Sequence, residues 1–328
     1  MTASSTTTPA YMANAPDPSD PAKFCNWLRD RYMPNARDDV FVAGLKEILE
    51  TTPAGDLTAA PMRFGLVDET RGLLVFAESG SGKTSLIKRN LMRASAIGLS
   101  DGPGPGKALY VRVPPEATLK GVARVIGEKT GYPISPKLRT PEAWEIATHR
   151  LGKLGITILC LDETHHLLKA KNELEDVLQR LKSLMQGENA LALVVSGVPS
   201  LDAAIRQDRE TSRRFAVRIA LQPIRTHEER GRLKDFIARC CALAKLALPD
   251  DPHLVERLAA ATHGSFGRSI DLMHGAIYRA LRRGNGRLTL DDFRQSFDLE
   301  RGAPGVGPFG PEDWPSLEAH LKETGWAP

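Results

Sequence analysis

Large apolar residues in this chain fall into two kinds of run. Residues 73–76, 108–113, 156–161, 191–195 and 217–221 form short apolar stretches with the length and composition of buried strands. Between them, residues 85–92, 119–126, 141–152 and 174–185 read as helices, and an Arg-rich stretch at 205–218 leads into the last strand. This alternation predicts a parallel sheet covered by helices on both faces. Upstream, Trp27, Leu28, Tyr32, Val40, Phe41, Leu45, Ile48 and Leu49 recur at helical spacing around Pro34, which predicts two short helices packed beside the sheet. Beyond residue 226 strand signals fade, and 228–244, 252–261, 268–282 and 290–297 read as helices of a second, smaller, all-helical domain. The expected division is a disordered tail at 1–22, the first helices and the sheet domain at 23–225, the helical domain at 226–300, and a flexible extension at 301–328 that carries Trp314 and Trp326.

The turn after the first strand changes this from a fold to a chemistry. Ala77-Glu78-Ser79-Gly80-Ser81-Gly82-Lys83-Thr84, followed by Ser85 and a helical run, is a nearly complete phosphate-binding loop. Gly80 and Gly82 permit backbone angles that let successive amide N–H groups surround a phosphate at the positive end of the next helix. Lys83 then reaches the β- and γ-phosphates, and the Thr84 hydroxyl ligates Mg²⁺. The usual pattern opens on glycine where this chain has Ala77, a tolerable change if the local φ is negative. ATP with Mg²⁺ is the expected ligand pair.

Composition narrows the setting. The 328 residues, 41% hydrophobic and 26% charged, suffice for a substantial core in one large or two smaller domains. No apolar run approaches the roughly 20 residues of a membrane span, and the amino terminus lacks the pattern of a secretion signal, so a cytoplasmic protein with no membrane partner is expected. Cys25, Cys160, Cys240 and Cys241 show no CxxC spacing and read as reduced thiols. A net charge of +4 permits contact with nucleic acid without demanding it.

Further along, the strand at 156–161 ends in two carboxylates. Asp162 is expected to hold Mg²⁺ through its water shell, and Glu163 to orient and deprotonate the attacking water. Ser196, at the end of the next strand, either hydrogen-bonds the γ-phosphate or water, or is the small residue a tight turn needs. Arg213 and Arg214 precede Phe215, and an exposed guanidinium at one of them could complete the γ-phosphate site of a neighbouring subunit; spacing does not choose between the two. Arg268, in Gly264-Ser-Phe-Gly-Arg268, either swings onto the phosphates or is structural. His165 and His166 sense the γ-phosphate or cap a helix, and with no third ligand type nearby in sequence no metal site is expected there.

Taken together, the loop, the Asp-Glu strand, the polar strand end, Ser-Arg-Arg-Phe and the Gly-x-x-Gly-Arg helix resemble the AAA+ ATPases. Within that group the chain looks most like transposition ATPases of the TniB type, related to TnsC, MuB and IstB. The carrying segments are Tyr32-Met-Pro-Asn-Ala-Arg37, Val113-Pro-Pro115 with Tyr132-Pro133, and Leu161-Asp-Glu-Thr-His-His-Leu-Leu168. Departures are Ala77 for glycine and His166 where the family tends to have Asn. The resemblance implies a P-loop NTPase sheet with a helical lid, and an ATP-hydrolysing regulator that forms a homo-oligomer on ATP binding, assembles on double-stranded target DNA, and recruits or activates a transposase together with a TniQ-type protein. It also implies that Lys120 and Arg124 line a pore in the oligomer and contact DNA phosphates; alone, they read equally as solvated helix charges. Two other readings stay open: an ExeA-type ATPase for secretion or envelope assembly, which shares Gly197-Val198-Pro199, and a non-catalytic, ATP-dependent assembly switch.

Overall fold

The computed structural model describes residues 12–65, 68–100, 102, 104, 106–115, 117–168, 174–301 and 307–323. The chain folds as two compact units, one of residues 36–79 and 83–221, the other of residues 1–35, 80–82 and 222–328. Helix α1 (Pro21–Arg29) opens the described chain and belongs to the second unit.

The first unit holds the sheet. Helix α2 (Ala36–Lys46) leads into an antiparallel hairpin of β1 (Leu49–Thr51) and β2 (Leu57–Pro61). Then come β3 (Gly72–Phe76), α3 (Lys83–Arg93), β4 (Leu99–Ser100), β5 (Ala108–Arg112), α4 (Leu119–Lys129), α5 (Thr140–Lys153) and β6 (Ile158–Asp162). A 3-10 turn (Thr164–Leu168), α6 (Leu174–Leu184), β7 (Ala192–Gly197), α7 (Pro199–Gln207), α8 (Arg209–Arg214) and β8 (Val217–Ala220) complete it. The six strands β3 to β8 run parallel in the order β4-β5-β6-β7-β3-β8.

Successive strand residues point to opposite faces, and both faces are covered. Leu74, Leu109, Leu159, Leu161 and Val195 enter one core with Val122 of α4, Trp144 of α5 and Leu181 of α6. Their neighbours Leu73, Val75, Ile158 and Val194 enter the other, with Phe41 and Leu45 of α2 and Leu86, Ile87 and Leu91 of α3. Two-sided burial explains why these strands read as unbroken apolar runs rather than as alternating ones. The hairpin and β4 gave no such signal: β4 has two residues, and β1 and β2 are only partly buried. Leu49, expected in a helix, begins β1 because α2 stops at Lys46.

The second unit is helical. Here α1 joins α9 (His227–Leu243), α10 (Leu254–Thr262), α11 (Phe266–Arg283), α12 (Leu290–Arg301) and α13 (Trp314–Glu323). The first helix was expected beside the sheet, but its Phe24, Cys25 and Leu28 lie in one core with Phe236, Leu272, Met273, Ala276 and Phe293. Asp20 caps α1 by accepting from Lys23 N at 3.0 Å, and Thr226 and Glu229 form a capping box on α9. The carboxyl-terminal stretch also departs from expectation, because residues 307–323 are packed rather than flexible. Arg257, 3% exposed, donates to the carbonyls of Pro308, Gly310 and Glu312 at 2.9, 3.1 and 2.7 Å. Trp314, Leu317 and Leu321 bury against Ala260. The tail at 1–11 and Trp326 lie outside the described residues.

Candidate active site

Strand order places the chemistry. Because β7 lies between β6 and β3, the carboxyl ends of all three strands meet, with Leu161 opposite Val195 and Val75 opposite Ser196. Asp162 ends β6, Ser196 lies near the end of β7, and the loop from Ala77 follows β3.

In the loop, Gly80 and Gly82 have φ of +79° and +91°, the left-handed region that glycine enters without a Cβ penalty. Ala77 is not among the residues with positive φ, and its methyl is 6% exposed within the α3-side core, so alanine replaces glycine there without strain. Glu78, Ser79, Gly80 and Ser85 are exposed, whereas Ser81 is buried. Lys83 begins α3 and is 4% exposed; its Nζ donates to the carbonyls of Ala77 at 2.9 Å and Glu78 at 3.0 Å. Burial holds this ammonium below the usual lysine range, and the charges of Glu163, Asp162 and Glu78 oppose that shift.

Asp162 is the hub. It is 1% exposed. Thr84 Oγ1 donates to its Oδ2 at 2.6 Å, Tyr110 OH donates to the same oxygen at 2.5 Å, and the Glu163 N–H donates to Oδ1 at 3.0 Å. The Ser196 hydroxyl also donates to Oδ1. Burial pushes this carboxyl up, but the donors from Ser196, Thr84, Tyr110 and the Glu163 amide outweigh it and hold the group below its ordinary range. Burial, with Asp162 adding to it, pushes the Tyr110 phenol well up, so Tyr110 remains a donor. Sequence reasoning missed Tyr110. The available signal was a phenol inside an apolar strand, which must find a partner once buried. Ser196, expected either to face the phosphate or to serve a turn, is 0% exposed, and its hydroxyl donates to Asp162.

Glu163 behaves differently from its neighbour. Its φ is +59°, uncommon for a side-chain-bearing residue, and its side chain stays partly exposed. Oε2 lies 3.3 Å from His165 Nδ1, and His166 Nδ1 lies 3.0 Å from Val113 O. The expectation that no third ligand type accompanies the histidines is corrected, since ligand atoms of Glu163, His165 and His166 all lie within 4.8 Å of one another.

The arginines divide. Arg214 is 2% exposed and donates to Lys182 O at 2.7 Å, Glu69 Oε1 at 2.9 Å and Glu210 Oε1 at 3.1 Å. An exposed guanidinium at this position is therefore ruled out in this conformation, because three acceptors hold it inside the α6–α8 corner. Arg213 has its side chain 67% exposed, with one contact to Glu69 Oε2 at 2.9 Å. In the helical unit, which includes residues 80–82, the Arg268 N–H donates to Gly80 O at 3.1 Å and its guanidinium lies 4.0 Å from Glu300. Lys120 and Arg124 on α4 donate to the carbonyls of Pro136 at 3.2 Å and Ile134 at 3.4 Å, so both hold the following loop. All four cysteines are buried and free.

The family model described as Bacterial TniB protein matches residues 55–223, just over half of the 328 residues. The chain belongs to the TniB family. No curated protein matches this TniB-family chain. Among solved structures it is similar to Cdc6p from Pyrobaculum aerophilum, at a TM-score of 0.59 and 17% identity, covering 82% of this chain and 69% of that one. It is also similar to the ORC1 protein of Aeropyrum pernix, solved in complex with DNA (TM-score 0.60, 22% identity, 84% and 67% covered). A third is the ORC2 protein of the same organism, solved with ADPNP and ADP (TM-score 0.54, 15% identity, 85% and 74% covered). These likenesses establish the AAA+ fold, a P-loop NTPase sheet accompanied by a helical region. Among the described residues no helix is long and apolar enough to cross a membrane.

Proposed function

We propose that this TniB-family protein binds and hydrolyses ATP, forms a homo-oligomer on double-stranded target DNA when ATP is bound, and recruits or activates a transposase in the cytoplasm, with a TniQ-type protein as a further partner. The observation that carries the enzymatic part is the 2.6 Å contact between Thr84 Oγ1 and Asp162 Oδ2, one residue from the buried Lys83. The DNA part rests on the family and on the likeness to the ORC1 protein, which was solved in complex with DNA.

The residues fit a hard cation, because Thr84 and Asp162 offer hydroxyl and carboxylate oxygens, the donor set Mg²⁺ favours. Mg²⁺ held by them would supply charge neutralisation to the β- and γ-phosphates. In this reading Lys83 exchanges its two carbonyl partners for phosphate oxygens, a stronger charge-assisted pairing. The positive φ of Gly80 and Gly82 lets the loop amides turn toward the β-phosphate at the start of α3. Ser196 and Tyr110 keep Asp162 ionised and fixed. Glu163, partly exposed, takes the proton of the attacking water. Arg213 is the residue left to reach a neighbouring subunit, and Arg268, whose backbone meets Gly80, is the candidate to sense the phosphates from the helical unit.

Incubating the protein with duplex DNA and ATP, ADP or no nucleotide, and reading binding and particle size, tests the whole proposal. Assembly on DNA only with ATP, weakening steeply with salt as phosphate contacts release counterions, is the expected result. Failure to bind DNA in all three conditions would contradict it.

A further inference from the structure

Adjacent to the oxygen-rich Thr84 and Asp162 pair lies a cluster of different chemistry. A 3-10 turn, Thr164–Leu168, follows Glu163, and the His166 N–H donates to Glu163 O at 3.0 Å, folding the chain back so that residue 166 returns toward 163. The left-handed backbone of Glu163 starts this turn and brings its carboxylate beside the following histidines. Oε2 sits 3.3 Å from His165 Nδ1, long for a charge-assisted hydrogen bond yet about the edge length of a tetrahedron whose ligands lie roughly 2.0–2.1 Å from a central metal. His166 carries a feature that metal-ligating histidines share. Its Nδ1 meets the backbone carbonyl of Val113 at 3.0 Å, which fixes the Nδ1–H tautomer, orients the ring and leaves Nε2 as a ligand atom. The His165 and His166 rings lie 4.4 Å apart, and the Glu163 and His165 side chains keep 21% and 18% of their surface open, so a cation has a way in.

We propose that Glu163, His165 and His166 form a binding site for a borderline divalent cation of the Zn²⁺ class, and that occupancy of this site silences hydrolysis. Two imidazoles and one carboxylate select Zn²⁺, Co²⁺ or Ni²⁺ over Mg²⁺, which prefers all-oxygen sets such as Thr84 with Asp162. Water completes the coordination. The silencing half rests on the reading of Glu163 as the proton acceptor: a bound dication lowers the proton affinity of the carboxylate and fixes it on the metal, so it serves poorly as a base toward water. The site would make turnover answer to transition-metal concentration while leaving nucleotide binding by Lys83 and the loop intact.

The test titrates CoCl₂ into the full chain without nucleotide, following the visible d–d bands that tetrahedral Co²⁺ shows and octahedral Co²⁺ lacks in strength. Since all four cysteines are buried, no thiolate charge-transfer band should accompany them. We expect saturable one-to-one binding that weakens by at least the roughly 10- to 100-fold known for the loss of supporting partners when His165→Ala or His166→Ala is introduced. His165→Gln, with far-ultraviolet circular dichroism of each variant, separates ligand loss from misfolding. Absence of tetrahedral binding, or binding that survives both histidine substitutions, overturns the site. In parallel, Zn²⁺ added at fixed Mg²⁺ should inhibit wild-type turnover and spare the histidine variants, each relative to its own zinc-free rate. Cobalt binding with unchanged wild-type turnover in Zn²⁺ would keep the site and overturn the silencing. A chain with no turnover at all would defeat the ATPase reading, yet the cobalt titration would still decide the site.

Discussion

Two buried polar clusters in the sheet unit invite comparison, one around Asp162 and one around Arg214. Each centres on a charged group no more than 2% exposed and held by three or more hydrogen bonds. The Asp162 cluster consists of small donors, Thr84, Tyr110 and Ser196, on an anion at the strand ends next to a glycine-rich loop. Its ligand atoms are the kind a cation can borrow. The Arg214 cluster pairs a cation with Glu69, Glu210 and a helix-end carbonyl, and it joins α6, α8 and the loop before β3. It is closed, and its work is to hold elements together. Burial and several hydrogen bonds alone therefore do not mark a functional site; the donor types and the adjoining loop do.

The largest effect separating the clusters should come from Lys83→Ala. Its affinity for a fluorescent ATP analogue should fall by about 100-fold or more, roughly 2.7 kcal/mol, with thermal stability little changed. Near-normal nucleotide affinity would detach the loop from the function.

Arg214→Ala should behave in the opposite way. Removing one member of a buried ion pair costs roughly 3–5 kcal/mol, and the half-exposed Glu210 places this case at about 3 kcal/mol. Calorimetry should show a clear fall in Tm, and Arg214→Lys should recover only part of it because the forked geometry is lost. An Arg214→Ala protein of unchanged Tm but reduced turnover would return this residue to the role of a finger.

Ser196→Ala removes one donor from Asp162 and should cost about 1–2 kcal/mol. The folded carboxyl titrates below its unfolded value, so its contribution is complete above roughly pH 4 and disappears as pH falls through the depressed folded value. With one donor gone the folded value rises, and acid unfolding followed by circular dichroism should move to higher pH. Smallest of all, Arg213→Ala should change stability by less than about 1 kcal/mol, its contact being largely solvated. Any loss of turnover in that variant should appear only at concentrations where the protein oligomerises.

Much of this was legible in the sequence for physical reasons. Strands buried on both faces are short apolar runs, and the loop is recognisable because only glycine adopts positive φ freely at Gly80 and Gly82. Asp162 was identified for the same reason, as an acid ending an apolar strand. The hidden parts depend on long-range partners. Tyr110 reaches Asp162 from the neighbouring strand, 52 residues away in sequence. Arg214 meets Glu69 across 145 residues, so no local pattern distinguishes it from the exposed Arg213. The docking of residues 307–323 combines the apolar contacts of Trp314, Leu317 and Leu321 with a buried arginine, Arg257, whose acceptors are backbone carbonyls and leave no trace in composition.

The central claim is that Glu163 activates water at a site that Lys83, Thr84 and Asp162 build. It is tested most directly by measuring ATP binding and phosphate release side by side for the wild type and Glu163→Gln. The account predicts equal binding and a rate lower by about 10²- to 10⁴-fold in the variant. Phosphate release at the wild-type rate in Glu163→Gln, with binding intact, would contradict it.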